Sequence, residues 1–280
     1  MEKCYLCSKD SFNIIHKGTR DDPKINVLRC TNCSLVFLDK KTQSVHYEDS
    51  KMHGNNLPSV SEWLNQTDRD DERRFNHYRE MINGKCILDF GCGAGGFLLR
   101  ASKITQECFG VEVEARIKNH YGDLLNIYKD IDDLGCCFDI VFAFHVFEHL
   151  DDPLKILEKI KRKLKPGGAF IVEVPHSEDA LLTLYGSSEF AKHSYWSNHL
   201  FLFNQFTLAK IGEKVGLKLR TVQGFQRYPL ANHLYWLAKG IGGGHKHWGF
   251  LSNPILDEAY GLTLGSIGKT DTIIGYFSVD

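Results

Sequence analysis

The segment Ile87–Phe97, reading I-L-D-F-G-C-G-A-G-G-F, constrains the fold more than any other stretch of the chain. An apolar run ending in an acid enters a turn with glycines at 91, 93, 95 and 96, and apolar residues then follow at helical spacing. This pattern predicts a strand, a tight turn and a helix start, with backbone amides free to approach a ligand at the positive end of the helix. Such a turn points to an adenosine-type cofactor without saying which one. The rest of the chain alternates in the same way. Strands are predicted at Cys86–Phe90, Glu107–Val113, Leu125–Tyr128, Phe138–Phe144, Ala169–Val174, Leu217–Phe225 and Thr272–Ser278. Helices are predicted at Gly95–Lys103, Ala115–Tyr121, Pro153–Leu164 and Thr207–Val215. Alternation of this kind implies an α/β fold, a mostly parallel Rossmann-like sheet with helices on both faces. Ligands of such sheets bind beyond the carboxyl ends of the strands, near the switch point.

A second unit precedes the sheet. Cys4-x-x-Cys7 and Cys30-x-x-Cys33 are separated by 22 residues. Two such knuckles can present four thiolates to one tetrahedral zinc ion, with a hairpin between them and Leu35–Leu38 closing a ribbon over residues 1–38. All four positions of the ion would be filled, so the metal would be structural. Redox chemistry expects one C-x-x-C pair beside a strand–helix pattern, which is absent here. Of the other five of the nine cysteines, Cys86 and Cys108 fall in apparent core strands. That usage suits a reducing cytoplasm better than a disulfide framework. A net charge of −1 supplies no general attraction to nucleic acid or anionic membrane. No apolar run approaches the roughly 20 residues of a membrane helix.

Residues 39–80 form a polar connection with Tyr47, Trp63, Phe75 and Tyr78 as anchors. The charged stretch Asp68–Glu80 reads either as a solvated helix covering the sheet or as a lid over the cofactor. The candidate cofactor residues lie beyond it. Glu112 follows Gly91 by 21 positions at the end of the second predicted strand, where a carboxylate can accept hydrogen bonds from both ribose hydroxyls. Asp130 suits the adenine amine, with Ile131 against the ring face.

The order L-D-F-G-C-G-A-G, G-V-E, D-I-V-F-A-F-H-V-F-E-H-L-D-D-P and L-K-P-G-G resembles class I S-adenosylmethionine-dependent methyltransferases over residues 81–280. The resemblance implies a seven-stranded sheet with an antiparallel last strand. It also implies cofactor contacts at Asp89, Gly91, Cys92, Gly93, Gly95, Glu112, Val113, Asp130, Ile131 and Phe144. The ribbon, together with H-L-F-L-F-N-Q-F-T-L after the fifth strand, resembles a narrower group of bacterial sugar, surface-glycan and secondary-metabolite methyltransferases. Sugar C-methyltransferases carry Tyr-x-x-His-Leu near His199-Leu200. Here Trp196 stands three before His199 and Tyr195 is one position off, and the sequence ends without the further domain of those enzymes. Both departures point to O- or N-methylation.

Methyl transfer needs alignment of the acceptor with the sulfonium and, for a hydroxyl, removal of a proton. His145, just past the fourth strand, and His199 are the candidate bases, with cofactor contact or packing as the alternative for His145. His149 reads as a structural hydrogen-bonding residue. Candidate substrate contacts are His176, Tyr195, Arg227, Asn232, His233, His245 and His247. The last five lie in an insertion, 226–269, whose Gly242–Gly244 loop and cationic side chains could hold an anionic group. The alternative is an aromatic helical cap that excludes water. The lysines of 155–165 alternate with apolar residues at helical spacing and read as a solvated face, so no nucleic-acid module is indicated. The expected protein is a cytoplasmic methyltransferase that O-methylates a small polar molecule such as a sugar, a nucleotide-linked sugar or a phosphorylated precursor. The rival is an RNA methyltransferase whose ribbon grips its substrate, for which Lys3, Lys9, Lys17, Arg20, Lys24 and Arg29 only slightly outnumber Glu2, Asp10, Asp21 and Asp22.

Overall fold

A computed structural model describes residues 3–40 and 56–280, so Tyr47 and Glu2 lie outside the described residues. In chain order the elements are β1 (Phe12–His16), β2 (Val27–Cys30), β3 (Val36–Leu38), α1 (Val60–Ile82), β4 (Cys86–Phe90), α2 (Gly96–Ala101), β5 (Glu107–Val111), α3 (Ala115–Tyr121), β6 (Asn126–Tyr128) and β7 (Phe138–Phe144). They continue as α4 (Pro153–Lys163), β8 (Leu164–Pro175), α5 (Ala180–Thr183), α6 (Ser188–Ser194), β9 (Phe201–Leu202), α7 (Gln205–Lys214), β10 (Lys218–Phe225), α8 (Leu230–Lys239), α9 (Gly244–His247), α10 (Pro254–Ser266) and β11 (Thr272–Ser278).

The main sheet has the order β10-β11-β8-β7-β4-β5-β6, and β11 runs antiparallel to both of its neighbours. Chain order reverses between β4 and β7, which makes their carboxyl ends the switch point. Side-chain alternation divides the core in two. Ile140, Phe142 and Phe144 of β7 pack with Tyr78 and Ile82 of α1 and with Phe97 and Leu98 of α2. Val141 and Ala143 face the other way, toward Leu157 and Ile160 of α4 and Leu208 and Ile211 of α7. The helices α8–α10 lie between β10 and β11.

The ribbon is not an appendage. β3 pairs antiparallel with β9, Val36 against Leu202 and Phe37 against Phe201, so a strand from the far side of β8 completes the small sheet. Leu6, Leu35 and Phe37 share one continuous core with Phe201, Phe203 and the α4/α7 face. A two-residue strand carries no readable alternation, which is why β9 is invisible in the sequence.

Two other elements differ from their predicted limits by more than two residues. The helix expected near Asp68 begins at Val60, because Ser59 and Glu62 form a reciprocal capping box. Its buried residues Asp71, Arg74, Tyr78 and Ile82 show that it is not a solvated cover. β8 starts at Leu164 rather than Ala169, and the L-K-P-G-G stretch is absorbed as an irregularity opposite Phe138–Ile140.

Gly212 lets α7 lie directly on β11. A Cβ there would stand 2.6 Å from Cδ1 and 2.9 Å from Cζ of the buried Phe277 ring. Gly212→Ala is expected to lower unfolding stability by about 1–3 kcal/mol in urea denaturation, the usual cost of overpacking. A midpoint at or above wild type would show that this contact is soft.

Candidate functional site

A cavity of about 810 Å³ opens at the switch point, near the upper end of the ≈300–1,000 Å³ range of ligand sites. Its floor is the glycine turn. Gly91 has φ +77°, and a Cβ there would press on the Val146 side chain, so a larger residue is excluded by backbone and space together. Glu112 reaches back to this turn. Its Oε2 accepts from the Gly93 amide at 2.9 Å and its Oε1 from the Glu114 amide at 3.0 Å. Asp89 lines the cavity, and its Oδ1 has no hydrogen-bond partner among the described residues. Burial raises its pKa to about 8, with Asp71 and Glu112 adding to the rise and Arg74 opposing it. Burial likewise raises Asp71 and Glu112. The three carboxylates around one turn, with Arg74 nearby, suit a cationic ligand and repel a pyrophosphate.

The wall above the turn is α1, which contributes Trp63, Thr67, Asp70, Asp71 and Arg74. It is held by Glu173, a β8 residue with no exposed surface. Glu173 Oε1 accepts from Arg73 Nη2 and Arg74 Nη2, each at 2.8 Å, and lies 3.2 Å from His145 Nε2. Burial alone would raise the Glu173 pKa, but Arg74, His145 and Arg73 hold it well below the carboxylate range. Sequence reading missed these wall residues because the buried face of α1 carries Asp71 and Arg74, which a search for apolar periodicity discards.

His145 has a strained φ of +55°, and its Nδ1 lies 3.3 Å from Glu148 while Nε2 faces Glu173. Burial opposes the charged ring, yet the two carboxylates outweigh it and raise the pKa above the ordinary histidine value. With an acid at each nitrogen, His145 is a bridge between carboxylates and has no free lone pair for a substrate proton. His199 lines the same cavity, its Nδ1 buried and without a hydrogen-bond partner among the described residues. Burial, with help from His149, drives its pKa down to about 3, so it is neutral but weakly basic.

The remaining expected residues divide. Asp89, Gly91, Cys92, Gly93, Glu112, Val113, Phe144, His176, Arg227, Asn232, His233 and His245 all line the cavity. Gly95 does not; its φ of +79° serves the N-cap of α2. Asp130 and Ile131 stand outside the lining as well. Asp130 caps the turn Ile131–Asp133 and pairs with Lys159 at 3.2 Å, and Ile131 is buried in the core. Tyr195 points into the ribbon interface, its ring 5.1 Å from His16, and His247 stacks on Tyr235 outside the cavity. The expected anion cradle in the cap is internally satisfied. Arg227 makes a forked ion pair with Asp70, and the Gly244 amide donates to Asn232 Oδ1 at 3.1 Å.

A model of the methyltransferase-domain family matches residues 65–222, more than half of the chain. The chain belongs to that family. It is an S-adenosylmethionine-dependent methyltransferase. The chain is similar to a ubiquinone biosynthesis O-methyltransferase of Acinetobacter baylyi, 26% identical over 57% of this chain and 74% of that one. It is also similar to a tRNA U34 carboxymethyltransferase of Alteromonas mediterranea, 26% identical over 47% of this chain but only 44% of that one. Among solved structures, an Archaeoglobus fulgidus methyltransferase shares the fold with a TM-score of 0.50, at 19% identity over 83% of this chain and 99% of that one.

The ribbon of this methyltransferase braces the loop that carries the cavity-lining His199. The Cys4 and Cys33 sulfurs are 3.5 Å apart, as are those of Cys7 and Cys30, and all four lie within 4.8 Å of one another. Tetrahedral zinc with Zn–S of ≈2.3 Å needs S···S of about 3.8 Å, so the donor set fits. The two knuckles repeat the same bonds. Ser8 N donates to Cys4 O and Ser34 N to Cys30 O, and both serines adopt positive φ. From the ribbon, Asp21 accepts from the Ser197 amide at 3.0 Å, the Arg20 amide donates to Tyr195 O at 2.8 Å, and the Arg20 guanidinium lies 4.1 Å from the Trp196 ring. The loop carrying His199 is thus anchored to the ribbon.

Asp21→Ala should raise amide exchange at Ser197 by roughly tenfold or more, matching loss of a charge-assisted hydrogen bond worth about 1.5–3 kcal/mol. Exchange at the Gly91–Gly95 turn should not change. Unaltered protection at Ser197 would show that the ribbon does not hold this loop.

Proposed function

We propose that this methyltransferase places the methyl group of S-adenosylmethionine on an oxygen of a small, uncharged polar acceptor. The observation that supports this reading is the division of the cavity. One end gathers Asp71, Asp89 and Glu112 around the glycine turn, and the other is lined by His176, Asn198, His199, Tyr228 and Asn232. The cofactor, when bound, supplies a methyl group already activated on a sulfonium. Asp89, with its unpartnered Oδ1, is placed to receive the ammonium of the methionine end. Glu112 keeps lone pairs for the ribose hydroxyls while its amide bonds fix it at the turn. Phe144 and Val113 supply apolar surface between these ends.

The cap excludes water from the acceptor end. Arg227 is already paired with Asp70 of α1 and the Gly244 amide with Asn232 of the cap, which favours a neutral acceptor over a phosphorylated one. O-methylation is supported by the quinone-pathway O-methyltransferase relatives. A sugar or glycan acceptor rests on the likeness around His199-Leu200. Zinc in the ribbon would be held by Cys4, Cys7, Cys30 and Cys33, a four-thiolate set that gives it a structural role.

The tRNA-linked relatives supply the competing outcome. Two ribbon cations are already engaged, Arg29 with Glu178 at 3.2 Å and Arg20 on Trp196. With methyl-labelled S-adenosylmethionine, label should enter members of a panel of hexoses and phenols and stay out of bulk tRNA. Label in tRNA alone would overturn the small-acceptor reading.

A further inference from the structure

Glu148, His149 and His199 form a cluster that the cofactor reading leaves unused. Glu148 and His149 belong to a 3-10 turn, Phe147–His149, directly after β7, and His199 stands just before β9. The two segments are tied together. The Leu200 amide donates to Glu148 O at 2.7 Å, and His149 Nδ1 pairs with Asn198 O at 2.9 Å. A carbonyl can only accept, so this bond puts the proton on Nδ1 and the lone pair of His149 on Nε2. One ligand atom from each of the three side chains lies within 4.8 Å of the others.

Two polar atoms here are buried without partners among the described residues, Glu148 Oε2 and His199 Nδ1. Glu148 as a whole is 1% exposed. An uncompensated buried carboxylate oxygen and ring nitrogen are costly unless something joins them. Their chemistry names the joining species. A carboxylate oxygen and imidazole nitrogens converging on one point are a cation site. Two imidazoles with one carboxylate suit borderline divalent ions such as Zn²⁺ or Co²⁺ over Mg²⁺, which prefers an all-oxygen shell.

We propose that Glu148, His149 and His199 bind a divalent transition-metal ion at the acceptor end of the cavity. Three protein ligands leave coordination positions open, unlike the closed four-cysteine set of the ribbon. The Nδ1 bond of His149 to Asn198 is the outer-sphere contact that typically orients a ligating imidazole. All three residues line the cavity, so an open position faces the acceptor space. A hydroxyl bound there would lose its proton more readily, by the Lewis-acid effect that lowers the pKa of metal-bound water. This last step rests on the methyl-transfer reading above; the ion site itself does not.

Metal stoichiometry tests the site without any turnover. Full-length protein freed of metal and titrated with Co²⁺ should take up two equivalents. One gives the intense thiolate charge-transfer bands of the ribbon and is lost in Cys7→Ser. The other gives only ligand-field bands and is lost, or weakened at least about tenfold, in His199→Ala and Glu148→Gln. Retained ribbon bands and a cooperative thermal transition certify that each variant is folded, and His199→Ala decides should Glu148→Gln fail this check. A wild-type protein binding one equivalent, removed by Cys7→Ser, would overturn the proposal. So would a second equivalent that persists unchanged in His199→Ala.

Discussion

Glu173 lies in the middle of the sheet's carboxyl edge with no exposed surface, and its charge is tolerable only because Arg73, Arg74 and His145 converge on one of its oxygens. Breaking a buried pair of this kind typically costs about 3–5 kcal/mol, because the remaining charge is stranded. The same bonds fix α1 over the glycine turn and make His145 a bridge to Glu148. The cavity wall, the turn it faces and the start of the acceptor end all depend on that one carboxylate. Function follows from the packing: the arginine pair is the buried polar tie of α1, joined by Asp70 with Arg227 and Asp68 with Arg100.

The ribbon and the cap continue the same logic at the other end. Asp21, Arg20 and the β3–β9 pairing hold the segment Tyr195–Leu202 against the cavity. Asp70 and Asp271 hold the start of the cap, through the Arg227 side chain and the Arg227 and Tyr228 amides. Charged residues that looked like ligand contacts in the sequence are spent on building the enclosure. Among the buried polar atoms without a partner in the described residues, Asp89 Oδ1, Glu148 Oε2 and His199 Nδ1 belong to cavity-lining residues, and these are the atoms we propose its ligands meet.

Much of this was legible in the sequence. Strands β4, β7 and β11 have the predicted limits because each is a run bounded by turn residues, and the Gly91–Gly96 turn is local chemistry. The cysteine knuckles are legible for the same reason. The differences are non-local. Asp130 stands at the expected strand end, half-exposed, with its Oδ1 accepting from its own turn and from Lys159. Tyr195 sits one residue before Trp196 and faces the ribbon, a direction fixed by a two-residue strand with no pattern of its own. The charged face of α1 is buried only because Glu173, about a hundred residues away, supplies its counter-charge.

The charge arrangement at the turn is the account's central claim, and calorimetric titration of S-adenosylmethionine into wild type and Glu112→Ala addresses it most directly. The account predicts saturable one-site binding to wild type and an affinity at least about tenfold lower in the variant, the loss expected when hydrogen bonds to a charged group, about 1.5–3 kcal/mol each, are removed. Equal affinity in the two proteins would contradict it.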